Sequence, residues 1–456
     1  MNKSQEVYRV IDANLNRLNE GLRVVEEYFR FVTEEVDVVD ECKSFRHRVG
    51  EWLKTRSSMT KLSFLSSRDT SRDCLSEKLS LSEKKRLDLE DVLDASFQRV
   101  KESLRVLEEY IKILDVADES QAGFFQKIRF DWYAFEKKVK IKFFSFKMFQ
   151  REETSKVEML AVGSVALDDI LSVAGSVERV MGGSCVHFSL AANLFFPVHL
   201  VGVVGDDYPQ EHLDFLTDKG IGIGALEKKE GKSFYWRGRY VEDFSSVETL
   251  ALDLGVFETF DPSLSGKYLS PKYLFLANID PVLQMKILNQ VERPHLVVMD
   301  TMNHWIEDSL RELWEVIKKV DVLILNDGEA RLLSGQNDLL KAAEELITKG
   351  PKYLIIKRGE NGSIFLDNEG NFFSIPAYPV KNVIDTTGAG DSFAGAFMGY
   401  VAFCDQISLE VFKKAMAYAS CVASFTVQGF GVQGLANIEE KDILERFLEF
   451  KRMSTF

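Results

Sequence analysis

Between Val10 and Val32, and again between Val92 and Leu114, apolar residues recur at alternating spacings of four and three. Ile11, Leu15, Leu18, Leu22, Val25, Phe29 and Val32 form the first stripe, and Leu93, Phe97, Val100, Leu104, Leu107, Ile111 and Leu114 the second. This period puts each set on one face of an α-helix, and a helix with one apolar face must bury it against another. The two are therefore expected to pack in one bundle, completed by helices around Val38 to Thr55 and Gly123 to Phe144. They are also copies of each other: Val10-Ile11-Asp12-Ala13 returns as Val92-Leu93-Asp94-Ala95, and Leu22-Arg23-Val24-Val25-Glu26-Glu27-Tyr28 as Leu104-Arg105-Val106-Leu107-Glu108-Glu109-Tyr110. The matched polar residues Asp12, Arg17, Glu20, Arg23, Glu26 and Glu27 have two readings. One is charge pairing along each helix, worth tenths of a kcal/mol per pair. The other is a binding cleft, lined by acids and arginines, where the two helices meet.

Beyond the polar join Phe149 to Lys156 the pattern changes. Short apolar runs such as Met159–Val162, Val201–Val204, Val322–Leu325 and Tyr353–Ile356 alternate with helical stretches as far as Phe447. Runs of that length, bounded by turns, predict buried parallel strands in a doubly wound α/β sheet. The chain therefore divides into an all-α part, 1–148, and an α/β part, 157–456. Two segments break the alternation by being extended in character, about 172–180 and 233–254. In the second, Phe234, Trp236, Gly238 and Tyr240 share one strand face, and Tyr235, Arg237 and Arg239 the other.

With 456 residues and 45% hydrophobic content the chain is large enough for such cores. A net charge of −14 argues against broad nucleic-acid or anionic-membrane surfaces. No apolar run reaches the length of a membrane span, and the polar start Met1-Asn2-Lys3-Ser4 does not read as a secretory signal. Cys42, Cys74, Cys185, Cys404 and Cys421 are scattered, which suits reduced thiols in the cytoplasm. Cys185 is expected to be a packing residue.

The chemistry concentrates in Asp385-Thr386-Thr387-Gly388-Ala389-Gly390-Asp391. It joins an apolar approach at Val383-Ile384 to the helical run Ser392-Phe393-Ala394-Gly395-Ala396-Phe397-Met398. Strand-like approach, glycine turn and helix start make an anion site from free amides and the helix dipole. Asp391 is then placed to take a proton from a hydroxyl that attacks a phosphoryl group, with backbone donors at Gly388, Ala389 and Gly390.

This heptapeptide resembles the second signature of the PfkB/ribokinase kinase family, over roughly residues 158–450. Gly182-Gly183 resembles the first glycine signature, Val201 to Asp207 the following strand and turn, and Asn326-Asp327-Gly328-Glu329 the N-x-x-E motif. Lys357-Arg358-Gly359-Glu360-Asn361-Gly362 is similar to the nucleotide-contacting turn. The resemblance implies a ribokinase-like sheet with a small β lid built from the two extended segments, whose one face rests on substrate or on a partner lid. It implies ATP and Mg²⁺ as cofactors: Asn326 and Glu329 ordering the metal through water, Lys357 near the phosphates, Gly359 and Gly429 near the adenine. A small-molecule alcohol is the implied acceptor, contacted by Asp168 or Asp169, Gly182, Gly183, Asp385 and Asn278, with Asn303 a further candidate. His187 is a further acceptor-contacting candidate, although it departs from the pattern, since sugar kinases of this family carry Asn there.

Asp12 to Arg17, Glu20 to Glu27, Phe45-Arg46-His47 and Ser67-Arg68-Asp69-Thr70 are similar to the helical domain fused to some thiamine-phosphate synthases. That resemblance implies a phosphate-handling site near Asn14, Arg17, Arg23, Arg46, His47 and Arg68. The combined expectation is an ATP- and Mg²⁺-dependent kinase for a sugar-like acceptor. The alternatives are a hydroxymethylpyrimidine or hydroxymethylpyrimidine-phosphate kinase of thiamine biosynthesis, or a helical sensor or assembly module, such as a homodimer contact, fused to a kinase.

Overall fold

A computed structural model describes residues 3–32, 35–68, 89–114, 119–149, 156–241, 244 and 246–454. Asp69, Thr70, Cys74 and most of the polar join at 150–155 lie outside the described residues. The chain forms two compact units, Met1–Phe143 and Phe144–Phe456.

The first unit is helical: α1 (Lys3–Phe31), α2 (Val36–Lys54), α3 (Ser58–Ser66), α4 (Leu89–Leu114) and α5 (Glu119–Phe149). Both stripes are buried from Ile11 to Phe29 and from Leu93 to Ile111. Val32 and Leu114 are the exceptions: Val32 follows the end of α1 and is 46% exposed, and Leu114 is half-buried at the end of α4. The indole of Trp132 fills the centre, with ring centroids 5.0 Å from Phe45, 5.1 Å from Phe97 and 5.0 Å from Phe135. α1 approaches α4 closely at Gly21, where a Cβ would fall 2.8 Å from the Val100 side chain. The matched charges do pair along their helices: Arg23 with Glu26 and Glu27 at 3.3 and 2.6 Å, Arg105 with Glu108 and Glu109 at 2.8 and 2.9 Å. A second arginine then reaches each buried glutamate from the next helix, Arg46 to Glu26 and Arg129 to Glu108.

The second unit is a doubly wound α/β fold. Its strands are β1 (Met159–Val162), β2 (Ala166–Ser172), β3 (Gly175–Gly182), β4 (His199–Val204), β5 (Gly222–Lys228), β6 (Phe234–Tyr240), β7 (Val247–Asp253), β8 (Tyr273–Leu276), β9 (Leu296–Asp300), β10 (Val322–Asn326), β11 (Tyr353–Lys357), β12 (Ser363–Asp367) and β13 (Phe372–Ile375). The 9-stranded sheet runs β13-β12-β11-β10-β9-β8-β1-β4-β5, parallel from β5 to β11 and antiparallel at β12 and β13. Successive side chains of β1 enter opposite cores: Met159 and Ala161 on one side, Leu160 and Val162 on the other. That explains strands that are apolar at every position.

Helices cover both faces: α6 (Ser184–Asn193), α7 (Gln210–Asp218), α8 (Pro281–Gln290), α9 (Asn303–Asp308), α10 (Leu310–Ile317), α11 (Asp327–Ser334), α12 (Leu339–Ile347), α13 (Ala389–Cys404), α14 (Leu409–Thr426), α15 (Gln433–Ala436) and α16 (Glu440–Ser454). Among the described residues no helix is long and apolar enough to cross a membrane.

A 4-stranded sheet, β3-β2-β6-β7, is separate. It begins at Ala166 rather than at 172, so Asp168 and Asp169 sit on a strand of this sheet and point to opposite faces. The face expected for Trp236 and Gly238 is observed: a Cβ at Gly238 would fall 2.2 Å from the indole of Trp236.

α13 and α6 pack backbone to backbone because of small residues. A Cβ at Gly395 would lie 2.2 Å from the Phe188 carbonyl oxygen, and one at Gly399 2.6 Å from that of Ala192. Gly395→Leu should therefore destabilise this unit by about 1–3 kcal/mol or more, because backbone rather than a flexible side chain must move. Thermal melting should show a transition lowered by several degrees; an unchanged melt would contradict this packing.

Candidate active site

Asp385 organises the glycine turn. Its Oδ1 accepts from the Thr387 N–H at 2.8 Å and the Thr387 hydroxyl at 2.6 Å, and its Oδ2 accepts from the Gly431 N–H at 2.8 Å. With both oxygens engaged and 1% exposure, Asp385 braces the turn instead of reaching the acceptor it was expected to bind. Gly388 follows with φ of 71°, a left-handed conformation that favours glycine. A Cβ there would also fall 1.9 Å from the His187 ring. The Ala389 N–H, expected to face an anion, donates to the Thr386 carbonyl at 3.2 Å, because the turn closes on itself at that point. Among the described residues no carbonyl accepts from the Gly388 or Gly390 N–H. Two amides at the N-terminus of α13 thus remain for a ligand.

Asp391 lies in the first turn of α13. Burial, and then the negative charge of Asp300, push its pKa up to about 7, against the opposing charge of Lys357. Lys357, from the end of β11, contacts Asp300 at 2.9 Å, and its ammonium would touch a Cβ placed on Gly390. Its side chain, 16% exposed, places a cation beneath the turn. Burial pulls its pKa down, but Asp300, Glu329 and Asp391 outweigh that and hold it charged. Glu329 is raised as well, first by burial and then by Asp300. Its Oε2 accepts from the Asn326 N–H at 2.6 Å while the Asn326 side chain accepts from the Glu329 N–H at 2.8 Å. The N-x-x-E spacing is thus a capping box for α11. Asp300 was missed in the sequence; the signal was an acid closing the apolar run Leu296–Met299 at a strand's carboxyl end.

On the other side of the turn, Asp168 is buried against Gly182, where a Cβ would meet its carboxylate at 1.9 Å. Burial, then Asp385, Asp169 and Asp391, push its pKa up to about 8, while the Gly183 amide opposes. Asp169 is occupied elsewhere, accepting from the Tyr235 hydroxyl at 2.7 Å and the Arg179 N–H at 2.8 Å. His187 is 1% exposed, neither ring nitrogen has a protein partner, and burial lowers its pKa to about 4. A neutral imidazole with two unmet hydrogen bonds beside Gly388 is incomplete without another molecule. The small sheet is tied to the turn by Tyr240, whose hydroxyl is 2.9 Å from that of Thr387, and by Ser172, which donates to the Ile384 carbonyl at 2.7 Å.

Asn278 accepts from the Trp305 indole at 3.0 Å, and Asn303 is exposed at the start of α9. Gly359 begins a turn after β11 with φ of 52° and open space around its α-carbon, whereas Gly429 packs against the Gly434 amide after α14. No group of three metal-ligating residues occurs among the described residues. Asp300, Glu329 and Asp391 nevertheless share the single charge of Lys357, and that surplus suits a hydrated Mg²⁺ held largely by phosphates and water.

The six helical candidates do not converge. Arg68 is bound to Asp12 at 2.6 and 3.0 Å, whereas Arg23 and Arg46 meet at Glu26, roughly 20 Å further along α1 at 1.5 Å per residue. Asn14 donates to the Val10 carbonyl, Arg17 is exposed, and His47 lies 3.7 Å from Glu51.

Residues 161–439 match the pfkB family carbohydrate kinase, and residues 9–138 the ThiD2 family. A cytidine kinase of Thermococcus kodakarensis is 30% identical over 252 residues, 54% of this chain and 88% of that protein. A thiamine-phosphate synthase of Nostoc punctiforme is 40% identical over 109 residues, 24% of this chain but only 29% of the synthase. Among solved structures, a nucleoside kinase of Methanocaldococcus jannaschii aligns with a TM-score of 0.52 and 21% identity, covering 65% of this chain and all of its own (100%). Arabidopsis thaliana ribokinase, complexed with ribose and ATP, aligns at 0.53 and 18%, covering 64% and 99%. At these identities the two structures speak to the fold alone.

Asp385→Ala should leave the Thr387 and Gly431 amides without an acceptor, at about 1–3 kcal/mol each. Hydrogen exchange should accelerate at 386–391 and 429–432 while the main sheet keeps its protection. Unchanged exchange in those two segments would show that something else holds the turn.

Proposed function

We propose, from the premise that this chain belongs to the pfkB family of carbohydrate kinases and is a phosphotransferase with an alcohol acceptor, that it moves the γ-phosphoryl group of ATP to a hydroxyl of a sugar-like molecule. The observation that carries this reading is Asp391 standing beside two unclaimed amides with the charge of Lys357 beneath them. The acceptor oxygen forms a bond to the γ-phosphorus as the bond to the β,γ-bridging oxygen breaks, and ADP leaves. Asp391 takes the hydroxyl proton, for which a pKa near working pH is suited. The Gly388 and Gly390 amides hold the charge of the transferring group. Asn326, Glu329 and Asp300 would hold the water shell of a Mg²⁺ ion, whose charge would offset that of the phosphates.

Asp168 and His187 are the acceptor-binding residues in this reading. Asp168, neutral when protonated, donates to an acceptor oxygen, and the imidazole supplies one donor and one acceptor. A ribosyl group, free or within a nucleoside, offers such partners, and the likeness to a cytidine kinase favours the nucleoside form. In this reading the enzyme works in the cytoplasm.

A second reading comes from the ThiD2 match, with the helical unit acting in thiamine biosynthesis. Full-length Asp391→Asn separates the two. Turnover of hydroxymethylpyrimidine that persists in this variant would assign it to the helical unit, and turnover lost with that of sugars and nucleosides would remove the second reading.

Asp391→Asn should lower turnover roughly 10²–10⁴-fold while ATP affinity stays nearly unchanged, as expected for loss of a general base. Near-normal turnover would place the proton acceptor elsewhere. Because Asp391 works deprotonated and Asp168 protonated, kcat/KM in the wild type should rise with a midpoint near pH 7 and fall again above about 8. Asp300→Asn removes a charge that raises Asp391, so the midpoint should move to lower pH. A midpoint that stays put or rises would contradict the assigned coupling.

A further inference from the structure

The small sheet grips the glycine turn from one of its ends. β2 and β6 run side by side in parallel, with Asp168 opposite Trp236 and Leu171 opposite Arg239. Ser172 and Tyr240 are the last residues of those two strands, so their side chains leave the sheet next to each other. The Ser172 hydroxyl donates to the Ile384 carbonyl at 2.7 Å, and the Tyr240 hydroxyl lies 2.9 Å from that of Thr387. Two neighbouring strand ends thus hold the chain at two points just ahead of Gly388. Asp168 lies on the same strand as Ser172 and, by the two-residue period, on the same face.

The direction of the Tyr240 bond follows from the protons available. Thr387 has one hydroxyl proton, and Oδ1 of Asp385 takes it at 2.6 Å. The Thr387 oxygen can then only accept, so the Tyr240 phenol is the donor. Burial pushes the pKa of that phenol up to about 12, and it keeps its proton near neutral pH. A chain of hydrogen bonds therefore runs from Tyr240 through Thr387 to Asp385, whose other oxygen holds the Gly431 amide. The Thr387 carbonyl and the Gly388 amide share one rigid peptide plane, so whatever moves Thr387 moves that donor too.

We propose that Tyr240, assisted by Ser172, is a positioning residue for phosphoryl transfer: it sets the place of Asp168 and its acceptor relative to the Gly388 amide. The role rests on the reaction proposed above, in which the acceptor is held by the small sheet and the transferring group by the start of α13. Those two parts of the fold are far apart in the chain, and the hydroxyls of Tyr240 and Ser172 join them. A reacting pair displaced by about 1 Å can lose about 10² in rate. A loosened sheet also admits water. A water oxygen then bonds to the γ-phosphorus in place of the acceptor oxygen, the bond to the bridging oxygen breaks, and inorganic phosphate and a proton leave with ADP.

Full-length Tyr240→Phe removes one hydroxyl and keeps the ring. With cytidine and ribose as acceptors, kcat should fall about 10–100-fold while KM for ATP holds. ADP should form in excess of phosphorylated acceptor, and Ser172→Ala should raise the same ratio. Thr387→Val should lose at least as much rate as Tyr240→Phe, and Thr387→Ser, which keeps the hydroxyl, should recover most of it. Adding Tyr240→Phe to Thr387→Val should lower the rate no further, because both act through one bond. Melting curves matching the wild type would show that the variants fold. A fall in kcat of less than tenfold, ADP and product formed one to one, or a further loss in the double variant would overturn the positioning role. The reaction itself fails by a different result, near-normal turnover in Asp391→Asn.

Discussion

The buried carboxylate of Asp385 is the constraint from which the site follows. One oxygen holds the backbone and hydroxyl of Thr387, and the other holds the Gly431 amide after α14. A carboxylate removed from water is costly unless hydrogen-bonded, and here three donors meet it. Their geometry bends the chain so that Gly388 adopts its left-handed conformation and α13 starts immediately beyond. Among the described residues no carbonyl accepts from the Gly388 and Gly390 amides, and Asp391 is set in the first helical turn. Tyr240 and Ser172 then fasten the small sheet to this turn, so the strands above and the helix below share one rigid element.

Charge is the second organising feature. Asp300, Glu329 and Asp391 crowd the ammonium of Lys357, and burial raises the proton affinity of Glu329 and Asp391. An ion cluster with more acids than bases is expensive in isolation. It becomes favourable when a cation accompanies a polyphosphate, and it keeps a base titrating near neutral pH in the meantime. His187 shows the same incompleteness in neutral form, with two buried ring nitrogens and no protein partner for either.

The helical stripes and the parallel sheet were legible because burial of one or both faces leaves a period that any reader can count. Ile11 to Phe29 and Leu93 to Ile111 are buried as their spacing demands, and Val32 fails only because α1 ends before it. The start of the small sheet was not legible. Val165-Ala166-Leu167 is as apolar as a core strand, so nothing local shows that the chain has already left the main sheet. Asp391 and its glycine turn were visible as a motif. That the Ala389 amide closes on Thr386, or that Asp385 faces inward, depends on contacts with partners distant in the chain and on the turn's own curvature. Asp300 was hidden for a similar reason, since its importance comes from Lys357, which is far from it in sequence. In the helical unit Arg23 pairs along its own helix, as one of the two readings of the matched charges had it, while Arg46 and Arg68, expected at one phosphate-handling site, are bound to Glu26 and Asp12 at separate places. The period of a helix says which face a residue is on and nothing about which neighbouring helix completes it.

The central claim is that a hydroxyl and a transferring phosphoryl group meet between the Asp391 carboxylate and the two free amides of the turn. A crystal structure of the chain with ADP, Mg²⁺, an aluminium fluoride mimic of the transferring group and a nucleoside acceptor tests it most directly. The account predicts the acceptor oxygen within about 2.6–3.2 Å of the Asp391 carboxylate and the mimic bonded to the Gly388 and Gly390 amides. A mimic held away from those amides, or a hydroxyl beyond reach of Asp391, would contradict it.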